Sequence, residues 1–134
     1  MKIFKIPVFL ATIAVASAIL CLSSCKHDLG IPAGTPEICF DSLVMPIFQT
    51  SCNMQGCHGG TSEAHFQFTT YEEIMRGITA GNPDQSSIYR AITGKGEGLM
   101  PPNQPLSIDN RTIIRYWILQ GALHTTCAGG PPIK

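Results

Sequence analysis

The chain has 134 residues, room for one small domain, with 13% charged residues and a formal balance of +0. So few charges, evenly split, argue against a nucleic-acid partner. No nucleophile–base pair or carboxylate dyad stands out in the pattern, so a hydrolase is not expected, and the adjacent Glu72 and Glu73 read as a solvated helix face.

The N-terminus reads as an export signal. Lys2 and Lys5 precede an uncharged apolar run from Ile6 to Leu22, which is short for a membrane span. The run ends in Leu22-Ser23-Ser24-Cys25, which resembles a bacterial lipobox. That resemblance implies cleavage of residues 1–24, lipidation of Cys25 and anchoring to a bilayer by acyl chains. Lys26 after Cys25, with no aspartate there, favours the outer membrane of a cell envelope; either face is open. Residues 25–37 read as a lipidated tether broken by Gly30, Pro32, Gly34 and Pro36, and expected to be extended and mobile.

The folded part is expected over residues 38–128, with 129–134 a flexible tail. A first helix is predicted over Asp41–Thr50, from the helical recurrence of Phe40, Leu43, Val44, Ile47 and Phe48. Asp41 or Ser42 would cap it, and Pro46 would delay or bend it. Ala64–Thr69 reads as extended, with Phe66 and Phe68 on alternate positions. Thr70 would cap a short helix over Tyr71–Gly77, and Asp84 a second over Gln85–Thr93. The last helix opens at Ser107, carries an apolar stripe of Ile113, Ile114, Trp117 and Ile118 with Arg111 and Arg115 on its polar side, and stops near Gly121.

The informative stretch is Cys52-Asn53-Met54-Gln55-Gly56-Cys57-His58. Two thiols followed at once by an imidazole suit covalent haem c: the thiols add to the two vinyl groups and the imidazole takes the iron. The usual spacer is two residues; here it is four, with Gly56 available for an unusual turn. Three other readings stay open: a Cys52–Cys57 disulfide, a zinc site with His58 and His65, and buried free thiols.

Export means that thiols are oxidised or bound. With Cys21 lost with the signal, Cys25 lipidated and Cys52 and Cys57 on haem, Cys39 and Cys127 remain and are expected to pair. Met100, in the rigid frame Leu99-Met100-Pro101-Pro102, is the candidate distal ligand, and Met/His ligation suits electron transfer. A porphyrin between the first and last helices would supplement a modest core.

Together Met45-Pro46-Ile47-Phe48, Cys52 to His58, Gly81-Asn82-Pro83 with Ser87-Ile88-Tyr89, Met100-Pro101-Pro102, and Trp117-Ile118 with Gly121-Ala122 resemble a class I c-type cytochrome domain. More narrowly, they are similar to small lipoprotein cytochromes of Bacteroidetes type and to the planctomycete-type cytochrome c domain. The resemblance spans roughly residues 38–127. It implies an all-α fold of about four short helices around one covalent haem c, with Cys52 and Cys57 as thioether sites, His58 proximal and Met100 distal. The expected role is a membrane-anchored one-electron carrier that meets a redox protein in the envelope and is not an enzyme. The alternatives are a haem sensor or peroxidase-like domain with a labile Met100, and a haem-free disulfide-stabilised lipoprotein.

Overall fold

The computed structural model describes residues 30–59 and 67–127. Cys21, Cys25, His65, Phe66 and the tail from residue 129 therefore lie outside the described residues. The chain divides into Met1–Gly30 and Ile31–Lys134, and every helix described below belongs to the second unit.

Among the described residues the fold is helical, without a strand. A π-helical segment, Phe40–Val44, runs into α1, Met45–Ser51. Helix α2 is Tyr71–Met75, a 3-10 turn covers Pro83–Gln85, α3 is Ser87–Ile92, and α4 is Ile108–Leu119. Pro46 explains the first junction. It has no N–H to give the turn before it, so an α-helix cannot run unbroken through it, and it sits where proline is tolerated, in the first turn of α1. The wider π turn ahead closes through the Met45 N–H donating to the Phe40 carbonyl.

Neither Asp41 nor Ser42 caps this start. The N-cap is Cys39, which makes no side-chain cap bond. The orphan donors turn instead to the chain's far end: the Phe40 N–H donates to Thr125 Oγ1 at 3.1 Å and the Asp41 N–H to the Thr125 carbonyl at 3.2 Å. The disulfide Cys39–Cys127 closes the same junction, as expected, across a sequence separation of 88. His124 completes it. Its ring stacks on Tyr71 at 4.6 Å, meets Phe40 edge-on at 5.2 Å, and places Nε2 3.2 Å from Asp41 Oδ1. His124 is thus part of a clasp while its side chain stays 50% exposed.

Gln120 extends the clasp to the linker. Its Oε1 accepts the Ile38 N–H at 2.8 Å and its Nε2 donates to the Pro36 carbonyl at 2.9 Å. The end of the expected tether is therefore docked on α4.

Helix α4 ends as Gly121 requires. Gly121, at φ +100°, donates its N–H to the Ile118 carbonyl, and the Ala122 N–H reaches back to the Trp117 carbonyl at 2.9 Å. Ser107 caps its start by accepting the Asn110 N–H. Arg111 departs from the expectation of a polar face. It stands three residues before Ile114 and seven before Ile118, at the edge of the apolar stripe, and its Nε is shielded from solvent.

Phe40, Val44, Ile47, Phe48, Ile74, Ile88, Ile92, Ile114, Trp117 and Ile118 form one buried cluster. Phe40 and Trp117 touch directly, with ring centroids 5.4 Å apart. The first and last helices thus pack on each other, and a porphyrin does not fit between them as the sequence suggested. The hollow beside Trp117, ≈ 290 Å³, is lined by Glu37, Ile38, Gln120 and Thr125 and includes none of Cys52, Cys57, His58 or Met100.

The short helices are set by turn chemistry. Thr70 and Glu73 form a reciprocal capping box at α2, so Glu73 has a structural role beyond a solvated face. At the 3-10 turn the cap is Asn82, whose Oδ1 accepts the Gln85 N–H, rather than Asp84. Asp84 pairs with Lys95 at 3.1 Å instead. Gly77 leaves room for α3: a Cβ there would lie 2.5 Å from Ile88 Cγ1.

Two predictions follow from the clasp and the capping box. Replacing Cys39 and Cys127 together by serine should lower unfolding stability by about 4–5 kcal/mol in the loop-entropy account, read as a fall in the urea midpoint. The Glu73 carboxyl is held below its usual range, first by the hydrogen bond from the Thr69 hydroxyl, then by backbone donors. A lowered folded-state pKa contributes stability above the unfolded pKa and loses it as pH falls through the folded one. Glu73→Gln should therefore remove part of the acid-side slope of stability against pH, and an unchanged slope would contradict the assignment.

Candidate functional site

Helix α1 delivers the first cysteine. Cys52 follows its last turn, donates its N–H to the Phe48 carbonyl at 3.0 Å, and belongs to the core at 8% exposure. The chain then folds back on itself. The Cys57 N–H donates to the Met54 carbonyl at 3.0 Å, closing a tight turn with Gly56 at its third position. Gly56 has φ +83°, the left-handed region that this turn position demands. The His58 N–H then donates to the Cys52 carbonyl at 3.2 Å, and the Gly59 N–H to the Met54 carbonyl at 3.3 Å. Gln55 and Gly59 pair as an isolated bridge. The four-residue spacer is thus taken up by a turn, and Cys52 and His58 meet across the base of the loop.

Close packing at that base needs glycine at 59. A Cβ there would lie 2.4 Å from the Asn53 carbonyl oxygen and 2.8 Å from Asn53 Oδ1. Nothing in the motif's spacing signals this; Gly59 read only as the first residue of a loop.

Cys52 and Cys57 are free thiols, in contrast to Cys39 and Cys127. Burial pushes the Cys52 thiol up to about 11, and the neighbouring Cys57 adds to the rise. Cys57 is exposed. The His58 ring is half-buried and lies against Phe68 at 4.5 Å, and Phe68 in turn leans on Phe48 at 5.3 Å. Phe68, itself a core residue, thus backs the imidazole and links it to α1.

Met100 is set on a different loop. The Gly94–Met100 stretch folds over the end of α3, with Gly94 and Met100 both donating N–H groups to the Ala91 carbonyl, at 3.2 Å and 3.0 Å. Its side chain is 42% exposed, beside Leu99 at 38%. The peptide bond to Pro101 is cis.

The structure therefore joins Cys52, Cys57 and His58 in one closed loop and presents Met100 from another. Among the described residues no cluster of three or more His, Cys, Asp or Glu side chains could hold a metal ion; His65, a ligand in the zinc reading, lies outside them. The donor set does fit haem c: two unpaired thiols, an adjoining imidazole, and a thioether on a separate loop. Met54 on the thiol loop and Leu99 and Met100 on the other loop are exposed apolar residues.

Residues 55–104 match the family model described as planctomycete cytochrome C. The match takes in Cys57, His58 and Met100 and leaves Cys52, α1 and α4 outside. It supports a cytochrome c-like domain of planctomycete type. No curated protein and no solved structure matches the chain.

The loop geometry makes Gly59→Ala the sharpest local test. The clash is with backbone, so the loop base must open, at a cost of about 1–3 kcal/mol. The variant should exchange the His58 and Gly59 amide hydrogens markedly faster than wild type while the α4 amides keep their protection. Unchanged loop exchange would show that the base is not closed as described.

Proposed function

We propose that the protein is a membrane-tethered monohaem c-type cytochrome that carries single electrons in the cell envelope. The observation that carries this reading is the closed loop holding two free thiols and His58, joined to a stretch that matches a cytochrome family. Cys52 and Cys57 would hold haem c through thioether bonds, His58 would bind the iron from the proximal side, and Met100 would bind it from the distal side. When bound, the haem supplies an iron centre that alternates between ferric and ferrous states.

The chain's own residues do the rest. Phe68 fixes the plane of the His58 imidazole. The bond from the Met100 N–H to Ala91 holds the thioether loop in an extended, non-helical frame. Leu99 and Met54 would shield the iron from water. A Met/His pair raises the reduction potential relative to two nitrogen ligands. Lipid on Cys25 would hold the domain at a bilayer, most simply that of the outer membrane, within reach of a protein redox partner. In this reading no substrate bond is made or broken.

One observation favours a second reading. Met100 is held at the surface, 42% exposed, on a loop fastened to the end of α3 through its backbone. A ligand so held could leave the iron, giving a gas sensor or a peroxidase-like site.

Protein produced with a c-type maturation system should show sharp α and β bands on reduction and keep its haem through acid–acetone extraction. The absence of a haem band, with Cys52 and Cys57 oxidised to each other, would overturn the cytochrome reading in favour of a disulfide-stapled lipoprotein. The reduced wild type should be indifferent to carbon monoxide and Met100→Ala should bind it. Carbon monoxide binding by the reduced wild type would instead support the labile-ligand reading.

A further inference from the structure

The two thiols of the loop are unlike in a way that a symmetric attachment motif does not require. Cys57 is exposed, on the outer side of the turn that begins at Met54. Cys52 is 8% exposed, inside the core cluster that includes Phe48 and Phe68. Its N–H donates to the Phe48 carbonyl at the last turn of α1, and its own carbonyl accepts the His58 N–H at the base of the loop. The fold thus shields Cys52 from outside, whereas Cys57 already meets solvent.

We propose that the two cysteines are modified in a fixed order, Cys57 first and Cys52 second, and that opening of the loop base at Cys52–His58 gates the second bond. The proposal rests on the haem reading above and adds a sequence of events to it. The chemistry balances at each site. A vinyl-bearing porphyrin accepts the thiol across its C=C bond: the S–H bond breaks, sulfur bonds to the vinyl carbon next to the ring, and the hydrogen goes to the terminal carbon. No electron is gained or lost, so no oxidant or reductant enters the step itself.

The order has a consequence for variants. Cys52→Ala leaves the first and accessible thiol in place, so it should retain haem through one bond. Cys57→Ala leaves only the gated thiol and should load far less. Gly59→Ala, by loosening the base, should shorten the lag between the first bond and the second.

The test uses the full chain with the Cys39–Cys127 disulfide intact and the other cysteines reduced. In haem-free protein, iodoacetamide should alkylate Cys57 at least about ten-fold faster than Cys52, since access governs the difference. Equal rates would overturn the proposal, because the buried setting of Cys52 would then not exist before attachment. In a second measurement the same protein is incubated anaerobically with ferrous haem and sampled over time. Remaining thiols are alkylated at each quench, and fragmentation mass spectrometry locates the linked cysteine. Chains linked only through Cys57 should precede doubly linked chains. Linkage through Cys52 first, or simultaneous appearance of both bonds, would overturn the order and leave the cytochrome reading intact. No linkage under these conditions or with a maturation system would overturn the cytochrome reading itself, and this proposal with it.

Discussion

The crossing of the first and last helices at Phe40 and Trp117 is the contact on which the rest of the structure depends. The two rings lie 5.4 Å apart, and both are almost fully buried. An aromatic pair of this kind contributes about 0.5–1.5 kcal/mol beyond its buried area. More important is what gathers around it. Tyr71 meets Phe40 edge-on at 5.1 Å and donates its hydroxyl to the Ala122 carbonyl. Trp117 Nε1 donates to the Leu123 carbonyl. Thr125 supplies the missing cap of the first helix, and the disulfide locks the two chain ends together. A helix that starts at a cysteine has no side chain suited to its own N-terminal donors, so its stability is borrowed from a segment 85 residues later.

This arrangement places the candidate site at the opposite end of α1 from the clasp. Disulfide, clasp and hollow all gather at the start of the first helix; the thiol loop leaves its end. The connection between them runs through the helix and its aromatic neighbours: Phe48 on Phe68, and Phe68 on the His58 ring. An imidazole on a glycine-rich loop would otherwise sample many orientations. Leaning on a buried phenylalanine that itself leans on the helix, it takes its plane from the core. His58 thus has a rigid backing, and Met100 stands on a separate surface loop.

The residues that announce this site are legible because their chemistry is local. Two cysteines beside a histidine, a methionine before two prolines, and a leftover pair of cysteines near the two ends of the domain can all be read without coordinates. The caps at Thr70 and Ser107 and the stop at Gly121 are legible for the same reason: each signal and its structural effect lie within a turn. What escaped the sequence is non-local. Asp41 looked like a cap because nothing nearby revealed that Thr125 would arrive to replace it. Asp84 does not cap the helix expected after it because it lies inside the 3-10 turn Pro83–Gln85, which Asn82 caps, and α3 starts later with Ser86 as its N-cap. The partners of His124 were hidden too, because Tyr71, on which its exposed ring stacks, is far away in the chain. Arg111 read as wholly polar because the shielding of its Nε at the stripe's edge arises only in the folded chain. The supposed porphyrin slot between first and last helices failed for a related reason: two apolar faces do not reveal whether they meet each other or something between them.

The spacer of four residues illustrates how a count can mislead where a geometry does not. Counted along the chain, two additional residues lengthen the path between the thiols. In the folded loop that length is spent on a reversal at Met54–Cys57, made without strain because Gly56 takes the left-handed conformation. The hydrogen bond from His58 to Cys52 then sets the separation of the loop's two ends, whatever the number of residues between them. The demand on sequence shifts accordingly, from the number of residues between the cysteines to the two glycines that permit the reversal and the close base, Gly56 and Gly59. A spacer of this length with a β-branched residue at 56, or any side chain at 59, would keep the two thiols and the imidazole in order along the chain and lose the closed loop that brings their ends together.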